Sequence, residues 1–237
     1  RTLSISVINL ENKMNSKKNI SIVVLTYNAP EYVKLCIESL TNTSDVEYNV
    51  VVVDNASDED TKNFLHESML SNKIDVLCNL ESNRLFSKGN NVGVKISPEE
   101  SNYVLLLNSD VEIIDPMWLK KLLDVHEEGI TTYGSCVANK NLGIPERGDG
   151  YCFLIDRHLY ETHWLDESFP WFWGITKLQG KVLSEGYSVQ AISDHKNIIK
   201  HYGGSSGNAF SASQEKVSLD SSEVKSWFAE HQVKIIE

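Results

Sequence analysis

Long apolar runs are missing from this chain: none approaches the ~18 residues that a membrane-spanning helix requires. No signal-peptide pattern is visible either, which sets the expectation of a cytoplasmic protein, with the inner face of the membrane as the alternative location. Positive charge is in deficit. Against 33 Asp and Glu there are 22 Lys and Arg, a net charge of -11. That excludes nonspecific nucleic-acid binding, which needs a basic face to displace counterions. It also means that an anionic substrate needs local help from a metal ion, a helix N-terminus or a few placed cations. Cysteine is sparse and scattered. Cys36, Cys78, Cys136 and Cys152 form no CxxC pair and no zinc-type spacing with histidine, so free thiols in a reducing compartment are expected. Neither GxGxxG nor GxxxxGKS/T follows the first apolar strand, which argues against a dehydrogenase or an ATPase.

What is present is an ordinary globular composition, 41% hydrophobic and 23% charged over 237 residues, long enough to bury a sizeable core in one α/β domain. Residues 1–19 read as a tail or linker with an edge strand at 3–10. Residues 20–25 (ISIVVL), 48–53 (YNVVVV) and 103–107 (YVLLL) are apolar runs of the kind that mark strands buried on both faces. Between the first two, Val33, Ile37 and Leu40 stand at helical spacing within residues 31–40. A second helix over 58–69 follows the N-cap candidate Ser57. Residues 74–77 read as a short strand and 87–94 (SKGNNVGV) as a polar loop entering a helix. This alternation of buried strands and helices predicts an α/β fold with a mostly parallel, doubly wound (Rossmann-like) sheet flanked by helices. Beyond residue 116, helices are expected at 117–126, 177–185 and around 223–231, and strands at 131–137 and 187–192. Residues 139–149 read as a surface loop and 201–207 as a glycine-serine stretch.

The run at 103–107 breaks into Asn108-Ser109-Asp110-Val111-Glu112, placing a carboxylate where a buried strand surfaces. The first two runs give way likewise to Thr26-Tyr27-Asn28 and to Asp54-Asn55-Ala56-Ser57-Asp58. Parallel strands share their carboxyl ends, and open α/β sheets bind ligands outside that edge. Any one such cluster is explained by turn chemistry. Three on one edge suggest a nucleotide-shaped site.

Six blocks in order, VLTYNAPEYVKLCIESL, VVVDNASDEDT, NRLFSKGNNVGV, LLLNSDVEIID, LDESFPWFWGITKLQGKVLSEGY and KHYGGSSG, give the chain a pattern that resembles the family 2 glycosyltransferases of GT-A fold. The resemblance runs over about residues 20–207. It implies a glycosyltransferase domain over 20–212, with a nucleotide-sugar half (20–116) and an acceptor half (117–212), then a helical segment over 213–237. The implied reaction moves a hexose or deoxyhexose, with inversion, from a UDP- or dTDP-sugar to a glycan or lipid-linked acceptor, as in bacterial rhamnosyl- and hexosyltransferases of polysaccharide biosynthesis. Thr26, Tyr27 and Asn28 would then contact the nucleotide. Asp54 would accept a hydrogen bond from a pyrimidine imide or a ribose hydroxyl, and Asn83 and Lys88 would reach the base or diphosphate. Ser109 and Asp110 would lie at the diphosphate, Asp110 matching the last acid of the family's DxD motif, with Asn108 in place of the first. The resemblance also implies Mn²⁺ or Mg²⁺ as cofactor, with His201 as a further ligand. Plainer readings stand beside these: an Asx turn at Asp54, a solvated Lys88, and a loop histidine at 201. Peripheral membrane association or fusion to further domains is compatible with such a role, as is a start at Arg1 rather than Met.

The resemblance breaks at the catalytic base. Inverting members carry a pair of acids at the start of the acceptor helix, and here that position holds Gly174-Ile175, which accept no proton. Nearby carboxylates that could substitute are Asp166, Glu167 and Asp149, although Asp166 and Glu167 also match a structural turn. The alternatives are a catalytically degenerate nucleotide-sugar-binding or assembly module, or a different register. The aromatics Trp164, Phe169, Trp171, Phe172 and Trp173 could stack on sugar rings or simply fill a core.

Overall fold

The computed structural model describes residues 6–9, 19–170, 173–203 and 220–237. The first half is strand-helix alternation. β1 (Ser6–Asn9) is followed by β2 (Ile20–Thr26), α1 (Pro30–Leu40), β3 (Tyr48–Asp54), α2 (Glu59–Leu70) and β4 (Val76–Asn79). Then come α3 (Leu85–Ile96), β5 (Tyr103–Asn108) and the short β6 (Val111–Ile113). β2 pairs in parallel with β3 on one side and β5 on the other, and β3 with β4, while β1 closes the edge antiparallel to β4. The β-branched runs suit strands covered on both faces. In β2, Ile20, Ile22 and Val24 enter the core under α1, while Val23 points to the opposite core, where Val94 of α3 lies. Alternate residues of one strand thus serve two cores, which is what winds helices onto both faces.

The stretch at 87–94, expected as a polar loop entering a helix, is helical throughout, the helix already beginning at Leu85. Its two glycines explain this. A Cβ at Gly89 would fall inside contact distance of Leu25 Cδ1, and one at Gly93 inside that of Val23 Cγ1 and 3.2 Å from Val53 Cγ2. The glycines, four residues apart on one helix face, let α3 lie directly on β2. The sequence pattern reads as loop because close approach, not apolar bulk, makes this packing face.

The second half turns back. After α4 (Trp118–Asp124) come β7 (Gly129–Tyr133), β8 (Ser135–Cys136), β9 (Arg147–Gly148) and β10 (Cys152–Asp156). β10 runs antiparallel between β5 and β7. α5 (Arg157–His163), which the sequence did not suggest, leads to α6 (Gly174–Ser184), β11 (Ser188–Ile192) and β12 (Ile199–His201). α7 (Ser221–Phe228) packs on α6, and β13 (Lys234–Ile236) adds in parallel to β11, so residues 220–237 supply a strand as well as the expected helix. The main sheet has nine strands in the order β1-β4-β3-β2-β5-β10-β7-β11-β13, mixed but mostly parallel. β8 and β9 form a two-residue antiparallel ladder, so that the stretch at 139–149, expected as a loop, contributes the strand β9 and pairs it with β8 just before that stretch. No helix among the described residues is long and apolar enough to cross a membrane. The four cysteines are free thiols.

Candidate active site

Parallel pairing in register brings Thr26, Asp54 and Asn79 side by side at the carboxyl edge of β2, β3 and β4. Asp54 is fully buried. Its two oxygens accept the Ser57 N–H at 3.2 Å, and Oδ1 accepts the Thr26 hydroxyl at 3.3 Å. Burial pushes the Asp54 carboxyl above its ordinary value, and these hydrogen bonds only partly oppose it. The chain leaves β2 through Asn28 and Ala29, both left-handed (φ 52 and 57). The Asn28 N–H donates to Ser57 Oγ, and the Asp58 N–H to Asn28 Oδ1, each at 2.8 Å. The two loops are therefore laced together. Ser57, expected as the N-cap of α2, is used in this lacing; Asp58 caps the helix instead, accepting the Thr61 N–H at 2.9 Å. Tyr27 lies half-buried in the same loop.

Asn55 was not singled out by the sequence, yet it organises the next loop. Its Nδ2 donates to Asn83 Oδ1 at 2.7 Å and its Oδ1 accepts the Arg84 N–H at 2.6 Å. Asn83 Oδ1 also accepts the Leu85 N–H at 2.8 Å, so Nδ2 is the end of that amide left over. It is buried, without a hydrogen-bond partner among the described residues.

The second cluster lies where β5 turns into β6. Ser109 and Asp110 are both buried there. β12 pairs with β6, His201 opposite Val111, which places His201 Nε2 3.3 Å from Asp110 Oδ1 and 3.5 Å from Asn108 Nδ2. The imidazole stacks on Tyr151, ring centroids 4.5 Å apart. A carboxylate in the β5–β6 turn and an imidazole at the end of β12 are a donor set that fits a divalent cation such as Mn²⁺. No group of three or more His, Cys, Asp or Glu suited to a metal occurs among the described residues, so the remaining ligands would come from a diphosphate or water. Of the glycine-serine stretch at 201–207, residues 204–207 lie outside the described residues.

Beside Asn108 opens a cavity of about 300 Å³ between the β9–β10 segment and the start of α6, lined among others by Arg147, Asp149, Tyr151, Trp173, Ile175 and Thr176. Asp149 is the one sequence-chosen base candidate that lines it. Its backbone N–H is fixed to the Gly134 carbonyl at 3.0 Å. Burial, with the Asp149 carboxylate adding to it, pushes the Cys136 thiol up. Gly174 occupies the first position of α6, where a Cβ would come 2.6 Å from Ser87 Oγ, whose hydroxyl donates to the Phe169 carbonyl. Ser87 thus fills the space that an acid at 174 would need.

Asp166 and Glu167 stand elsewhere. Asp166 accepts from Lys177 Nζ at 2.6 Å and from Ser168, and Lys177 foremost holds its carboxyl far below the usual aspartate range. Glu167 accepts from Asn91 Nδ2 and pairs with Lys88 Nζ at 3.4 Å. Lys88 is therefore engaged with a carboxylate of this turn. Trp164 and Phe169 pack against Tyr160 and Trp227; Trp171 and Phe172 lie outside the described residues. A larger cavity, about 720 Å³, lies at the opposite edge of the sheet, near the start of β5 and the end of β10.

Polar strand ends on one edge of a mostly parallel sheet, with a cavity beside them, are the arrangement in which open α/β sheets bind ligands. The model of "Glycosyl transferase family 2" matches residues 21–180, more than half of the chain, and the chain belongs to that family. No curated protein sequence matches it. The mannosyltransferase PcManGT from Pyrobaculum calidifontis, solved with GDP-Man and Mn²⁺, superposes with a TM-score of 0.61 at 16% identity, over 76% of this chain and 56% of that one. TarS of S. aureus, residues 1–349 with UDP, gives 0.56 at 21% identity over 69% and 54%. The same TarS fragment without ligand gives 0.61 at 19% over 90% and 70%. At these identities the likeness is one of fold, which is GT-A. The chain spans little more than half the length of the first two proteins.

Proposed function

We propose that this domain is an inverting glycosyltransferase that moves a hexose or deoxyhexose from a UDP- or dTDP-sugar to a glycan or lipid-linked acceptor. One observation carries the reading: Thr26, Asp54, Asn108 and Asp110 stand on one edge of the sheet, next to a cavity that contains Asp149. Asp54 accepts a hydrogen bond from the base or ribose. The leftover Nδ2 of Asn83 donates to a base carbonyl, and Thr26, Tyr27 and Asn28 form the wall around them. Asp110 and His201 would hold Mn²⁺ or Mg²⁺, which neutralises charge on the departing nucleoside diphosphate, a task that a protein of net charge -11 cannot do with its bulk charge. Ser109 supports that turn. Asp149 takes the proton from the acceptor hydroxyl as that oxygen bonds to the anomeric carbon and the bond to the diphosphate breaks. Lys88 and Glu167 act as a paired support of the turn, and Asp166 as its cap. Solved relatives of this fold carry GDP-Man with Mn²⁺ and UDP, which supports a nucleotide-sugar donor and a divalent metal.

Calorimetric titration of UDP and dTDP, with and without Mn²⁺, tests this. Metal-dependent binding that weakens at least about tenfold in Asp110→Ala is expected, corresponding to ~1.4 kcal/mol. Absence of binding by both nucleotides, or an indifferent Asp110→Ala, sinks the proposal. A second reading, a binding or assembly module without turnover, draws on Gly174-Ile175 and on Ser87 filling the place of an acid. Release of UDP from a UDP-sugar by the purified chain would remove it.

A further inference from the structure

Arg147 and Asp149 both line the cavity beside Asn108, two positions apart along one extended segment. Between them Gly148 is locked in place. Its N–H donates to Gln179 Oε1 at 2.8 Å and its carbonyl accepts from Gln179 Nε2 at 2.9 Å, and Gln179 is fully buried. Arg147 therefore projects from a rigid mount. Its guanidinium lies over the indole of Trp173, 5.4 Å from the ring centroid. The guanidinium is a planar fork of N–H donors matched to the two oxygens of a carboxylate or phosphate. Among the described residues no carboxylate forms an ion pair with it. A neutral hexose needs no cation. Asn108, Thr176 and Asp149 already offer its hydroxyls partners, and Trp173 and Ile175 offer its ring an apolar wall.

We infer that Arg147 is a specificity-determining residue that binds an oxyanion, carboxylate or phosphate, carried by the sugar in this cavity, so that the protein handles an acidic sugar. The inference rests on the cavity being the transfer site. Asp149 sharpens it. A carboxylate in the same cavity repels an anionic substituent, while Arg147 attracts it, and together they fix which end of the sugar faces the base. The anion can belong to the donor sugar or to the acceptor.

Ligand-observed NMR titrations separate these sources. The acceptor probes are methyl glucuronide and methyl glucoside 6-phosphate against neutral methyl glucoside; the donor probes are UDP-glucuronic acid against UDP-glucose. In at least one arm the acidic probe is expected to bind about 10- to 100-fold tighter, the worth of a charge-assisted hydrogen-bond pair. Arg147→Met should abolish that preference, and Arg147→Lys, a point charge in place of a fork, should keep only part of it. Melting curves of both variants establish that they are folded; should Arg147→Met not fold, a Lys variant with undiminished preference still refutes the role. Equal binding of acidic and neutral probes in both arms, or binding of neither, overturns the inference. Titrations of UDP and dTDP with Mn²⁺ on the same sample keep the two readings apart. Nucleotide binding without acid preference removes only the inference, while acid preference with neither nucleotide bound leaves Arg147 as an oxyanion site and removes the transferase reading.

Discussion

The approach of α3 to β2 gives a comparison in which two identical substitutions are expected to differ. Gly→Ala in a helix is worth about 1 kcal/mol in propensity, so Gly89→Ala and Gly93→Ala share that gain. Their surroundings oppose it unequally. The new methyl at 93 collides with Cγ1 of Val23, a fully buried β-branched residue in the middle of a strand paired on both sides, and it also presses Val53 Cγ2 at 3.2 Å. Valine is stiff at χ1, and a fully buried side chain in a close-packed core has little room to rotate away. The overpacking cost is then ~2–3 kcal/mol, and it exceeds the propensity gain. The methyl at 89 meets the two Cδ atoms of Leu25, a half-buried residue near the end of the strand, whose flexible tip can swing away. There the two terms nearly cancel. With roughly 2–4 °C per kcal/mol for a domain of this size, Gly93→Ala should melt about 2–8 °C below wild type, and Gly89→Ala within about 2 °C of it. Thermal unfolding followed by circular dichroism at neutral pH measures both. A Gly93→Ala protein as stable as wild type, or a Gly89→Ala protein the less stable of the two, would refute the packing argument.

Asp54→Asn should leave neutral-pH stability unchanged or raise it while removing nucleotide affinity. Burial holds this carboxyl above the ordinary 3.8, so the ionised form weighs against folding as pH rises through the folded value, and the variant's advantage over wild type should grow from acid to neutral pH in paired melts. Asp166→Asn should do the opposite. Its carboxyl is held far below 3.8 by Lys177, so the roughly 1 kcal/mol of this partly shielded pair is present above that value and lost as pH falls below it. Melting curves of variant and wild type should therefore converge in acid, and a constant gap would count against the ion pair. Asp149→Asn should lower kcat about 10²- to 10⁴-fold with donor affinity nearly intact, read from initial rates and a UDP titration; full activity would move the base elsewhere.

The amino-acid order by itself determined the first, parallel half of the sheet and its polar edge. Runs such as ISIVVL and YVLLL have only one low-energy fate, a strand covered on both faces, and the polar residues that end them must then share an edge. The positions of Asp54 and Asp110 at strand ends, and the family, could be read at that level. The sequence alone could not decide contacts made at long separation. Gly89 and Gly93 read as a loop because only the docked sheet turns their missing side chains into a packing face. Asn55 and Asn83 are 28 residues apart and become one hydrogen-bonded unit only when β3 and β4 lie side by side. Among the three carboxylates equally eligible as bases, tertiary structure separates Asp166 and Glu167, engaged with Lys177 and Lys88, from Asp149, which lines the cavity. The same packing sets Arg147 over Trp173, a pairing of side chains 26 residues apart that no local pattern encodes. Local chemistry fixes where a chain can carry polar groups; which of them face one another is settled by the distances that folding closes.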